Sequence, residues 1–168
     1  MRTDLARLLR FLAVSVCFPG LTLIGQTLQL TSGAASPGGS VEIRVFLKSP
    51  RGRGPAAVQW EARIPSAQLS LRDVAIGAAA QQAGKSIRCA VKGKTVDTQT
   101  SVCILAGGVQ QIQDGPIALL RLSVSPQSPL GPARIRVERA ITVAKDLTEI
   151  PMKPVEAVVS VRQKATGH

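Results

Sequence analysis

The segment Ser40–Lys48 reads SVEIRVFLK, with Val41, Ile43, Val45 and Leu47 on one phase and Glu42, Arg44, Phe46 and Lys48 on the other. An extended strand sends every second side chain to the same side. The pattern therefore specifies a strand with one buried and one wet face. AVQWEARIP (57–65) repeats it, setting Val58, Trp60, Ala62 and Ile64 against Gln59, Glu61 and Arg63. Further strand candidates are Leu28–Leu30, Leu69–Ile76, Ser86–Lys92, Ser101–Ala106, Pro116–Ser125, Ala133–Val143 and Val155–Arg162. Turn-rich stretches divide them: GAASPGGS (33–40), SPRGRGP (49–55) and SPQSPLGP (125–132). Sustained helical periodicity is missing, and Ala78–Ala83 is long enough for one short turn. The only aromatics are Phe11, Phe18, Phe46 and Trp60, and Tyr is absent, so the core is aliphatic and suited to a sheet. About nine short strands at near-regular spacing, in a chain long enough for one domain, argue for an all-β sandwich or jelly roll.

The first residues, MRTDLARLLRFLAVSVCFPGLTLIGQT, have a different character. Arg2, Arg7 and Arg10 precede an apolar run from Phe11 to Gly25. That run is about fifteen residues, short for a membrane span and fitting for the hydrophobic region of a secretory signal peptide. The expected organisation is a helical signal peptide at 1–25, a β domain at 26–162 and a frayed tail at 163–168. An uncleaved anchor is the alternative for the first segment. Cleavage leaves no integral span and a secreted, periplasmic or cell-surface protein. It removes three arginines and one aspartate, so the net charge falls from +11 to +9. The cations are scattered, the tightest groups being Arg51/Arg53 and Arg134/Arg136/Arg139. Rings for base stacking are lacking, so solvated strand faces explain the charge and no nucleic acid is expected as a partner.

Export removes Cys17 and leaves Cys89 and Cys103, an even pair in an oxidising compartment, hence an expected disulfide. Strands Ser86–Lys92 and Ser101–Ala106, joined near Val96, set the two opposite each other. Closing such a loop stabilises by roughly 3 kcal/mol. Two sulfurs without histidine partners do not complete a metal site, and no cofactor is expected. Opposed residues share a face. Cys89 travels with Ile87 and Val91, so Cys103 points inward with Leu105, and Val102 and Ile104 turn outward beside Arg88 and Lys92. A register offset of one residue instead places Val102 and Ile104 in the core. Both arrangements stay open at this point.

Catalytic groups are sparse. The sole histidine is the last residue, His168, which excludes a Ser–His–Asp or Cys–His arrangement in a folded site. Glu42, Glu61 and Glu138 lie on polar strand phases, and Asp73, Asp97, Asp114 and Asp146 on expected turns. The chain reads as a non-enzyme. Direct sugar binding is an alternative function, but it calls for exposed rings, and Trp60 shares the phase of Val58 and Ile64.

The ordered segments LQLTSGAASPGGSVEIRVFLKS, AAVQWEARIPSAQLSLRDVAIG, the cysteine strand pair, IQDGPIALLRLSVS and VVSVRQ resemble the cohesin domain over Leu28–Arg162. The closest points are Gly-Gly-Ser before the second strand, Asp114–Ala118 before the seventh, and the run from Trp60 to Val74. The resemblance implies an all-β fold, a nine-stranded jelly-roll β-sandwich, without catalytic activity. It implies a protein partner of dockerin type, the dockerin carrying the calcium, in assemblies that degrade polysaccharide. It also implies a binding face on four strands, here Ala133–Val143, Val58–Ile64, Ser101–Ala106 and Ser86–Lys92. The outward residues are then Gln59, Glu61, Arg63, Arg88, Val102, Ile104, Arg134 and Arg136.

Overall fold

The computed structural model describes residues 25–164. The expected signal peptide, apart from Gly25, and the last four residues of the expected tail lie outside the described residues. The chain forms β1 (Thr27–Leu30), β2 (Gly33–Ala35), β3 (Ser40–Lys48), β4 (Ala57–Pro65), β5 (Leu69–Ile76), a short helix α1 (Ala78–Gln82), β6 (Ser86–Lys94), β7 (Thr98–Ala106), β8 (Gly115–Val124), β9 (Gly131–Val143), β10 (Glu149–Pro151) and β11 (Val155–Val161). They pack as a four-stranded sheet in the order β1-β3-β8-β5 against a seven-stranded sheet in the order β2-β11-β9-β4-β7-β6, with β10 beside β9. Every expected strand forms, and two three-residue strands join them. β2 falls in a segment read from sequence as pure turn; Gly33–Ala35 instead pairs in parallel with the end of β11. β10 pairs with Ile141 to Val143 at the end of β9, past the residues that β11 covers.

The alternation of β3 is realised residue by residue, with Val41, Ile43, Val45 and Leu47 buried. Leu120 and Leu122 of β8 stand beside them in the same sheet, and Val58, Trp60, Ala62 and Ile64 of β4 with Ile135 and Val137 of β9 close the core from the other sheet. Burial of this kind stabilises by about 2 kcal/mol per large aliphatic side chain, which lets an aliphatic core hold the two layers together without aromatic bulk. Trp60 is fully buried, as its phase requires.

The cysteine register is resolved. Cys89 pairs directly with Cys103 across β6 and β7, and the two form a disulfide with Cα atoms 4.1 Å apart. Cys103 and Leu105 are buried, so Val102 and Ile104 turn outward, and the offset register is excluded; on the edge strand β6 the expected inward set is not covered, Cys89 being exposed and Val91 59% exposed.

Two interruptions of the ladders shape the outward face of the larger sheet. Between β4 and β9 the register shifts between Gln59 and Glu61, so β9 carries one residue more than its partner. Arg139 lies in this bulge with φ of 49°, a left-handed backbone that costs a non-glycine residue about 1 kcal/mol or more. Between β6 and β7 the shift falls between Val91 and Gly93, and the extra residue is Lys92. Bulges re-aim side chains near functional surfaces, and here both point a cation at the same place.

Candidate functional site

The outward face of the larger sheet is built from β9, β4, β7 and β6, which lie side by side in that order. Ladder pairs fix which side chains are neighbours: Gln59 opposes Ile104, Glu61 opposes Val102, and Arg63 opposes Thr100. On the far side of β4, Gln59 opposes Ile141, Glu61 opposes Glu138, and Arg63 opposes Arg136. Arg88 opposes Ile104 and Ala90 opposes Val102 on β6, while Arg134 and Arg136 face Val158 and Glu156 of β11. All eight residues singled out from the sequence, Gln59, Glu61, Arg63, Arg88, Val102, Ile104, Arg134 and Arg136, therefore share one surface.

At its centre lie two carboxylates side by side. Glu61 accepts a hydrogen bond of 2.6 Å from Lys92 Nζ through Oε1 and one of 3.5 Å from Arg139 Nη1 through Oε2. Glu138 is paired with Arg63 at 3.2 Å and Arg136 at 3.3 Å. The Glu61 and Glu138 side chains are only 10% and 15% exposed, whereas those of Lys92, Arg63, Arg136 and Arg139 are 52%, 53%, 49% and 69% exposed. The acids form the floor and the cations the surface. Without the two bulges, alternation would not bring both Lys92 and Arg139 onto Glu61. The hydrogen bond from Lys92 holds the Glu61 carboxyl below the ordinary carboxylate range, and the Lys92 and Arg139 charges add to it against the opposing effect of desolvation.

Beside this charged centre runs an apolar strip. Ile104 is 46% exposed; Val102 precedes it by two residues on β7 with Ala90 opposite Val102 on β6, and Ile141 lies on β9 across Gln59 of β4. A hollow of about 210 Å³ opens between Glu61, Arg63, Lys92, Gly93, Thr100, Glu138 and Arg139. Such a surface, with a partly exposed aliphatic strip and directional donors, suits contact with another macromolecule. It has no nucleophile with a paired base. Among the described residues, no group of three or more His, Cys, Asp or Glu side chains is placed to hold a metal ion. The sugar-stacking alternative loses Trp60 to the core, and Phe46 lies on the other sheet.

The sequence pattern did not mark Glu138, Arg139 and Ile141 as members of this surface. Two signals were available: Glu138 shares the phase of Arg134 and Arg136, and Arg139, a cation in the phase of Ala133, Ile135 and Val137, flags a break in the alternation. Asp73, read as a turn residue, instead lies within β5 beside a bulge and pairs with Arg121 at 3.1 Å. Asp146 does take the expected turn role, accepting a 3.1 Å hydrogen bond from the Thr148 amide. No helix of the described residues is long and apolar enough to cross a membrane.

No protein-family model matches the sequence, and no curated protein matches it. Solved structures do match. The sixth cohesin of scaffoldin B from Acetivibrio cellulolyticus, solved in complex with a dockerin, superposes with a TM-score of 0.69 at 16% identity, over 82% of this chain and 99% of that one. The OlpA cohesin of Clostridium thermocellum, also in a dockerin complex, gives 0.69 at 20% identity over 82% and 99%. A non-cellulosomal cohesin from the archaeon Archaeoglobus fulgidus gives 0.65 at 15% identity over 83% and 92%. At nearly full length of each cohesin and with this sheet architecture, the fold of the chain is the cohesin β-sandwich.

Proposed function

We propose that this protein is a non-catalytic binding module that docks a dockerin-like protein partner through the outward face of β9, β4, β7 and β6. The observation that carries the reading is the joint one. The fold is that of cohesins solved with dockerins bound, and one face of it combines an exposed aliphatic strip with a preorganised layer of cations. Ile104 and Val102 supply the apolar anchor, Gln59 and the arginines Arg63, Arg88, Arg134 and Arg136 the directional contacts, and Glu61 and Glu138 hold the cations in place. Preorganised side chains lose little entropy on association, which favours affinity. The context we assign is an exported or cell-surface assembly linked to polysaccharide breakdown, the disulfide being at home in an oxidising compartment.

The test is calorimetric titration of the purified protein with a panel of calcium-loaded dockerins, repeated after chelation. Saturable binding that is lost on chelation, because the partner's fold depends on calcium, supports the reading. Binding to none of the panel, or binding undiminished in Ile104→Asp, overturns it.

A further inference from the structure

The polarity of the docking face specifies the chemistry of what sits on it. Six cations, Arg63, Arg88, Lys92, Arg134, Arg136 and Arg139, share the surface with Glu61, Glu138 and Glu156. Two of those three acids are the covered floor, and Glu156 stands at the rim, 3.9 Å from Arg136. Arg88 and Arg134 have no ion-pair partner among the described residues and are exposed. A partner therefore meets a cationic layer whose counter-charges are already turned inward. The hollow gives this layer a receptacle: its rim is Arg63, Lys92 and Arg139, each with donors left over after bonding the floor, and Thr100 adds a hydroxyl. Gly93 keeps one wall low, and a Cβ placed there meets no atom within 4 Å.

Resting on the docking reading, we propose that the hollow receives an acidic side chain of the partner, whose docking segment sets a carboxylate beside an aliphatic anchor. The spacing comes from strand geometry. Thr100, Val102 and Ile104 share one phase of β7, so Val102 stands roughly 7 Å and Ile104 roughly 13 Å from Thr100. On a helix rising 1.5 Å per residue those separations correspond to about four to five and about eight to nine residues. The fitting segment is a helix with Glu at one position and Leu about four and about eight residues further on, roughly 6 and 12 Å along its axis. Opposite charge across such a face raises the association rate and rejects like-charged competitors.

The probe is a fluorescent synthetic helix of this design, read by anisotropy against the purified protein, with a Glu→Lys helix as its pair. The Glu helix binds about tenfold or more tighter at low salt, and the ratio shrinks at about 0.5 M salt as screening sets in. Gly93→Leu, which adds bulk to the wall of the hollow, and Arg88→Glu with Arg134→Glu, which touch no ion pair, each weaken the Glu helix about tenfold. Equal binding of the two helices, no binding of the Glu helix, or indifference to Gly93→Leu overturns the proposal. So does displacement by a sulfated polysaccharide whose own binding ignores Ile104→Asp, which would mean generic polyanion affinity. A calcium-loaded dockerin titrated in parallel separates the two readings. Dockerin binding that ignores Gly93→Leu overturns the acidic side chain and keeps the docking face, whereas helix binding with no dockerin binding keeps the acidic side chain and overturns the dockerin partner.

Discussion

Replacing Glu61 by Gln removes the charge that organises the centre of the face while nearly conserving shape. Glu61 bonds Lys92 at 2.6 Å and Arg139 at 3.5 Å. Its own side chain is 10% exposed, but the cations are 52% and 69% exposed, so solvent screens both pairs. With about 0.5 kcal/mol for each screened pair, Glu61→Gln costs about 1 kcal/mol at neutral pH, a fall in Tm of about 2–4 °C for a chain of this size. The pH dependence is the sharper signature. The folded-state pKa of Glu61 lies below its ordinary value of 4.5. Its stabilisation is therefore complete above that value and is lost as pH falls through the lower folded pKa. Urea unfolding of both proteins across that range yields a gap that is constant at neutral pH and closes in acid. A gap that persists unchanged after acidification, or widens, refutes the assignment of Glu61 as the ionised hub.

Other perturbations reach the staple, the apolar strip and the sheet ends. Replacing Cys89 and Cys103 by alanine opens a loop whose ends are 14 residues apart, and denaturant unfolding then reads a loss of about 3 kcal/mol. Ile104→Asp changes unfolding free energy by no more than about 0.5 kcal/mol, since the side chain is already half in solvent, yet it weakens partner binding by about tenfold or more in calorimetry. Gly77→Ala places a methyl group on the Pro116 carbonyl, where backbone must move. Thermal unfolding of that variant reports a loss of about 2 kcal/mol or more.

The sandwich was legible because the apolar phases of β3 and β4, Val41 to Leu47 and Val58 to Ile64, are unbroken and buried, even though Phe46 and the covered Glu61 depart from a strictly wet opposite face. Trp60 could be assigned to the core from its phase alone. The outward turn of Val102 and Ile104 needed one further fact, the pairing of Cys89 with Cys103, because two registers fitted the pattern equally well. β2 and β10 stayed hidden. Three residues carry no period, and Gly33–Ala35 sits in a stretch whose composition signals a turn. The hub around Glu61 was least legible. It depends on bulges at Lys92 and Arg139 that shift phase by one residue, and a bulge is a property of two strands together. Of the two bulges, a period-2 reading sees only that Arg139 is out of place.

The docking face is tested most directly by a hydrogen-exchange footprint of the purified protein with and without a bound calcium-loaded dockerin. Slowed exchange is expected in β4, β6, β7 and β9, centred on Glu61, Lys92, Val102 to Ile104 and Glu138 to Ile141, with unchanged exchange in β1, β3, β5 and β8. Protection concentrated on the smaller sheet, with the Glu61 surface exchanging as in the free protein, would contradict it.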